Sequence, residues 1–297
     1  MFLAVSLAPP VKAWHALILG GLVGLALGNP FTKQTAKMSK KLLQLAVILL
    51  GFGLTIGEVA EVGREAAVYT FVGISLTLAL GYALNKVFRG DGVTAFLVTV
   101  GTSICGGSAI AAVAPVVHAD DKQTGVSLAT VFTLNAIGLL LFPLIGHWLN
   151  MEQGAFGVWA AMAIHDTSSV VGAASSYGEE ALKIGTTVKL TRALWILPLA
   201  LIAGFALKSK GQAKFPWFLL GFIAAAVLAS VLPDERWLWG YEAGRRVLVV
   251  TIFLVGCGLT RDVVKRAGPR PMLLGVTLWI IVSVASLLAI RAGIVPT

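Results

Sequence analysis

The chain has 297 residues, of which 57% are hydrophobic and 12% charged, against about 45–50% and about 25% in ordinary soluble domains. So little charge cannot cover a soluble surface of this size, and the composition specifies a polytopic membrane protein. The net charge of +9 sits in short loops between apolar runs, a pattern that sets membrane topology and argues against a nucleic-acid surface.

Ten apolar runs near the length needed to cross a bilayer follow in order: Val11–Leu27, Ser39–Ile56, Ala66–Val87, Val93–Val117, Ser127–Leu149, Phe156–Ser176, Thr187–Leu207, Phe215–Leu232, Ala243–Thr260 and Pro271–Ala292. They form an all-α transmembrane domain over residues 1–297. Residues 11–118 make a first scaffold with a broken helix, 119–214 the central spans with a second polar helix, and 215–297 a second scaffold. The stretch before Trp14 lacks the basic start and long apolar core of a cleavable signal. Cys105 and Cys257 both lie in apolar runs and do not read as a disulfide framework.

Loops after the odd-numbered runs carry Lys33, Lys37, Lys40, Lys41, Lys86, Arg89, Lys208, Lys210, Lys214, Arg261, Lys265, Arg266 and Arg270, 13 of the 23 basic residues. The excess of positive charge places these loops in the cytoplasm and both termini outside.

An internal repeat links the two scaffolds. Gly51–Gly63 reads GFGLTIGEVAEVG and Gly256–Gly268 reads GCGLTRDVVKRAG, with six of 13 positions identical, including Leu54/Leu259 and Val59/Val264. Lys40–Lys41 matches Arg245–Arg246 at the same offset, and each copy is preceded by a segment running from a Trp to a Pro (Trp14 to Pro30, Trp217 to Pro233). Runs one to three thus match eight to ten with opposite orientation, the inverted duplication typical of secondary transporters.

Between the copies lie two runs with polar centres. The fourth reads GTSICGGSAIAAVAPVV from Gly101 and the sixth WAAMAIHDTSSVVGAASSYG from Trp159. Gly106–Gly107, flanked by Ser103, Cys105 and Ser108, suits either a helix break that exposes backbone N–H groups to an anion or tight packing of a continuous helix. A charge at mid-membrane costs about 2.5–3.5 kcal/mol, so Asp166 is either a coupling carboxylate or the N-cap of a half-helix starting at Thr167. His165 beside it titrates near neutral pH. Lys189 and Arg192 share a helix face and read either as an oxyanion clamp or as snorkelling anchors. Asn135 reads as interhelical glue, with Pro143 kinking the same helix. Walker loops, zinc-binding H-E-x-x-H pairs and nucleophile elbows are missing, so an enzyme is not expected.

These motifs, TSICGGSAIAAVAPVV, HDTSSVVGAA, VKLTRALWI, GFGLT and GCGLT, resemble the YeiH family of bacterial inner-membrane proteins, classed as proposed sulfate exporters. The resemblance runs from Trp14 onward and implies a secondary transporter with crossing broken helices, similar to sodium/proton antiporter folds. A fold likeness does not establish chemistry.

The expected function is a carrier of a small inorganic or organic anion, coupled to a proton or sodium. Ser103, Cys105, Gly106, Gly107 and Ser108 would face Thr167, Ser168 and Ser169 across the site. Lys189 and Arg192 would balance substrate charge, and His165 and Asp166 would carry the coupling ion. No cofactor, metal or nucleic acid is called for; a homodimer in the lipid bilayer is compatible. The rivals are a cation/proton antiporter built on Asp166 and a membrane sensor without a transport cycle.

Overall fold

The computed structural model describes residues 13–206, 217–232, 234–258, 260–261, 265 and 267–296. Met1–Lys12, the loop residues Lys208, Lys210, Lys214 and Arg266, and repeat positions Leu259 and Val264 lie outside the described residues. Among those described, the chain forms thirteen α-helices and no strand.

The helices are α1 (Ala13–Leu22, extended by a wider π turn to Leu27), α2 (Thr32–Leu50), α3 (Ile56–Phe88), α4 (Gly92–Ser103) and α5 (Gly107–Val113). They continue as α6 (Asp121–Trp148), α7 (Gln153–Ala163), α8 (Thr167–Tyr177), α9 (Glu179–Leu194) and α10 (Ile196–Ala206). The last three are α11 (Phe218–Val231), α12 (Arg236–Cys257) and α13 (Pro269–Arg291).

Local chemistry starts the two longest helices. Thr55 and Glu58 form a capping box at α3, as do Asp120 and Gln123 at α6, satisfying backbone N–H groups that a helix start leaves orphaned. Ile56–Phe88, Asp121–Trp148, Glu179–Phe205 and Pro269–Arg291 are long and apolar enough to cross a membrane. Their outer faces remain apolar, with Val68, Leu76, Leu144, Phe205 and Leu288 all 60% exposed or more.

The fourth and sixth apolar runs carry the expected breaks and depart from expectation in direction. Both are broken, and neither runs from one end of the molecule to the other. In the first, α4 ends at Ser103 and α5 begins at Gly107. Gln123 Nε2 donates to Asp91 Oδ2 at 3.0 Å, and Ser127 Oγ to the Thr94 carbonyl at 3.3 Å. The start of α6 therefore lies beside the start of α4, so the chain enters, turns and leaves at the same end. In the second, α7 ends at Ala163 and α8 begins at Thr167. Tyr177 OH donates to the Met151 carbonyl at 2.6 Å, the Glu180 N–H to Gln153 Oε1 at 3.1 Å, and the Phe156 and Tyr177 rings stack at 3.7 Å. That segment is a hairpin too.

The physical reason is length. Half-helices of 12 and 7 residues rise roughly 18 and 10 Å at 1.5 Å per residue, well short of a hydrocarbon core of about 30 Å. An uncharged run of 25 residues meets the length criterion for a span, yet a break at its centre folds it back on itself. The 28 residues of α6, roughly 42 Å long, separate the two hairpin mouths, so the hairpins enter from opposite ends and meet midway.

Among the described residues, α3, α6, α9–α10 and α13 are long and apolar enough to cross, and α1, α2, α11 and α12 are the other helices outside the hairpins. Removing two crossings in this order moves His118–Gly125 to the same end as the lysine-rich loops, and Leu149–Gln153 to the other. The described basic residues of the odd-numbered loops stay at one end. Cross-links agree: Asn29 Nδ2 donates to the Cys257 carbonyl, and Arg270 Nη1 to that of Arg89, at that end. The Ile56 N–H donates to Ser230 Oγ at the opposite end.

α1, α2, α11 and α12 pack as one body through backbone-close contacts. A Cβ on Gly256 would lie 2.7 Å from the Leu17 carbonyl oxygen and from the Gly21 nitrogen, so only glycine lets α12 approach α1 this closely. Likewise a Cβ on Gly51, at the end of α2, would lie 2.5 Å from the Phe222 carbonyl oxygen of α11.

Candidate functional site

The hairpin tips meet at the molecular centre. Tip one is Ile104–Cys105–Gly106 and tip two is Ile164–His165–Asp166, each following a helix end and preceding a helix start at matching positions sixty residues apart (Ser103/Ala163, Gly107/Thr167). Gly106 adopts φ 60°, ψ −126°, a conformation that glycine reaches without a Cβ penalty. A Cβ there would also press on tip two, at 3.3 Å from Asp166 Cβ and 3.4 Å from Asn135 Nδ2.

Each break leaves helix-terminal backbone groups without intrahelical partners. The buried cations of α9 take the orphaned carbonyls. Arg192 donates from Nε to the Ser103 carbonyl at 2.6 Å, and from Nη1 to those of Met162 at 2.5 Å and Ala161 at 3.3 Å. Lys189 Nζ donates to the Ile164 carbonyl at 2.8 Å and to that of Ala161 at 3.2 Å. One helix thus fastens both tips, its cations set against the negative dipole ends of α4 and α7. Lys189 and Arg192 are 0% and 3% exposed, so they are not snorkelling anchors. Neither has a carboxylate within ion-pair distance among the described residues, where the only ion pairs are Arg236–Asp234 and Arg245–Glu242.

At tip two, Asp166 is the N-cap of α8. Its Oδ2 accepts from the Ser168 N–H at 3.0 Å and from the Ser168 hydroxyl. Asp166 is half-buried. His165 is 1% exposed; its N–H donates to Asn135 Oδ1 at 3.1 Å, and neither ring nitrogen has a partner. Asn135, 4% exposed, therefore bridges α6 to tip two, and its Nδ2 has no partner.

The structure gathers Cys105, Gly106, His165, Asp166, Lys189 and Arg192 at this junction, with Thr167, Ser168 and Ser169 buried on the first turn of α8. Three expected members sit differently. Ser103 turns its hydroxyl back onto the Val100 carbonyl of its own helix, at 3.1 Å, and contributes its carbonyl instead. Ser108 is exposed, because α5 turns that face away from tip two. Gly107 packs toward Phe132 and Leu128 of α6. Cys105 is a buried free thiol. What residue patterns did not reveal is that carbonyls of Ser103, Ala161, Met162 and Ile164 are the partners of the cations. The only sequence signal for them is the helix break itself.

The family described as conserved hypothetical protein 698 matches residues 4–275 of this chain. The chain belongs to that family, the YeiH family. A UPF0324 membrane protein of Geobacter sulfurreducens is 51% identical, covering 98% of this chain and 94% of the relative. UPF0324 membrane proteins of Bdellovibrio bacteriovorus and Bacteroides thetaiotaomicron are 47% and 44% identical, each over 96% of this chain and 90% of the relative. No solved structure matches. Family and fold agree that this is an all-α membrane protein.

Proposed function

We propose that this YeiH-family protein is a secondary transporter of a small anion in the bacterial inner membrane, working by alternating access. In this reading it crosses the bilayer eight times, with two re-entrant hairpins that enter from opposite faces. The end bearing Lys37, Lys86, Arg89 and Arg270 faces the cytoplasm.

The observation that carries the anion reading is a charge imbalance at the tips. Lys189 and Arg192 bring two positive charges and Asp166 one negative charge to the junction. The four half-helix ends carry about half a charge each, two of either sign, and cancel. About one positive charge is left over in a region where an uncompensated ion is costly. A bound anion supplies the missing charge. Sulfate or a related sulfur oxyanion fits the donor chemistry and the family resemblance, and Asp166 is the group placed to carry a coupling proton.

The inverted repeat supports the transport reading. With eight crossings, α1–α3 still run opposite to α11–α13. Packing is reciprocal, since the first helix of each copy rests on the second helix of the other: α1 on α12 through Gly256, and α11 on α2 through Gly51. The hairpins extend the relation to the centre, because each is followed by a crossing segment and they enter from opposite ends. Two inverted halves around a midplane site are the plan of alternating-access carriers.

The test is sulfate flux into proteoliposomes of purified protein, with and without a pH or sodium gradient. The proposal expects gradient-dependent sulfate movement that Arg192→Ala abolishes. Cation-dependent proton movement without any anion flux would overturn it in favour of an antiporter built on Asp166.

A further inference from the structure

Two neighbouring residues at the hairpin junction hold three buried nitrogen atoms without partners: Asn135 Nδ2, His165 Nδ1 and His165 Nε2. A buried polar group left unpaired costs about 1–3 kcal/mol, and native interiors rarely tolerate several in one place. Here they are held in position. The His165 N–H donates to Asn135 Oδ1, which fixes the amide so that its NH₂ group is the free end. That free end lies against tip one, 3.4 Å from where a Cβ of Gly106 would sit, and Asp166 Cβ lies 3.3 Å from the same spot. Glycine at 106 lets both hairpins and α6 converge closely on this point.

The arrangement mirrors that of the cations. Hairpin two is followed by α9, which reaches back to tip one through Arg192. Hairpin one is followed by α6, which reaches forward to tip two through Asn135. Arg192 spends its donors on backbone carbonyls on both sides of the junction, and Lys189 does the same with two more. Both cations thereby spend donors on holding the tips. A directional donor left without any partner at the junction is Asn135 Nδ2, and the His165 ring nitrogens are unpartnered as well.

We infer that Asn135 and His165 are the residues that contact the transported oxyanion, while Lys189 and Arg192 act as positioning residues that supply the field. The inference rests on the anion-transport reading. Neutral donors suit this role: they give an oxyanion directional hydrogen bonds without trapping it as a direct ion pair would, so the cargo can leave. Asn135 thus becomes a substrate ligand as well as an interhelical bridge.

The experiment is sulfate binding to the purified full-length protein, read by thermal stabilisation, together with sulfate flux in proteoliposomes. Asn135→Asp keeps the Oδ1 that accepts from His165 and exchanges the free donor for an acceptor. It is expected to weaken sulfate binding about 10- to 100-fold, the range of one hydrogen bond to a charged oxygen, with the KM for flux rising in step. The unfolding midpoint without sulfate should stay within a few degrees of wild type, because the Oδ1 bridge is kept, and a purely structural role for Asn135 would then leave sulfate affinity unchanged. Asn135→Ala reads the same loss of affinity should the aspartate variant fail to fold. Equal sulfate affinity in wild type and both variants overturns the assignment of Asn135 and leaves the anion carrier standing. Absence of sulfate binding and flux in wild type overturns the sulfur-oxyanion reading itself.

Discussion

Hairpin one and hairpin two have the same outline and are built by different chemistry. Tip one turns on Gly106 with positive φ and carries no charged side chain, whereas tip two turns at Asp166, whose carboxylate caps the helix that follows. The returning arm of hairpin one is the 7-residue α5, and that of hairpin two is the 11-residue α8. The mouths differ as well. Hairpin two is closed by the Phe156–Tyr177 stack and the Tyr177 bond to Met151, while hairpin one is joined to α6 by the polar bonds of Asp91 and Ser127. One architecture can therefore be reached through backbone freedom or through side-chain capping. The shorter arm and polar mouth make hairpin one the easier of the two to open.

The comparison can be broken at Arg192, where the two hairpins share a fastening. Arg192→Ala leaves the carbonyls of Ser103 and Met162 without their donor, at a cost of about 3 kcal/mol or more. A thermal unfolding midpoint in detergent lowered by many degrees is the expected result. Arg192→Lys should recover only part, because an ammonium lacks the fork that reaches two tips at once.

At tip one, Gly106→Ala forces a Cβ into a positive-φ turn and against Asp166 and Asn135. About 1–3 kcal/mol of destabilisation follows. The equivalent change at tip two, Asp166→Ala, removes an N-cap worth about 1 kcal/mol, while Asp166→Asn retains the cap and should unfold close to wild type. Asp166→Asn therefore separates folding from coupling: stability is kept, and in a flux assay the response to a pH gradient is lost.

The smallest effects belong to the mouths. Tyr177→Phe removes the bond to Met151, costing about 1 kcal/mol, and should raise hydrogen exchange in α8. Asp91 is held below the ordinary carboxylate range, chiefly by the Thr94 hydroxyl and then by its N–H. A carboxylate with a lowered pKa stabilises the fold above its unfolded value of about 3.9 and ceases to do so as pH falls through the lowered one. Acid titration of the unfolding midpoint should lose this contribution in that window, and Asp91→Ala should lack it.

Much of this fold was legible in the sequence. Composition identified a membrane protein, and Asp166 was readable as the N-cap of a helix starting at Thr167. Gly106–Gly107 was readable as a break. What escaped was direction. A 25-residue uncharged run looks the same whether it crosses or returns, because hydropathy counts residues and carries no record of a turn. Only the long-range bonds of Asp91 to Gln123 and of Tyr177 to Met151 distinguish the two. Parity concealed the difference too, since two missing crossings leave the segments before and after the hairpins in the same relative orientation as ten crossings would. Lys189 and Arg192 were legible as buried cations, but their carbonyl partners were not, because backbone groups leave no mark in a sequence.

The decisive measurement is sidedness at the four hairpin ends. Single cysteines in place of Arg89, His118, Glu152 and Glu179, all exposed, would be labelled with an impermeant maleimide from either side of oriented membrane vesicles. The hairpin architecture predicts that positions 89 and 118 react from one side, and that positions 152 and 179 both react from the other. Labelling of 89 and 118 from opposite sides would mean that this segment crosses the membrane, and would contradict it.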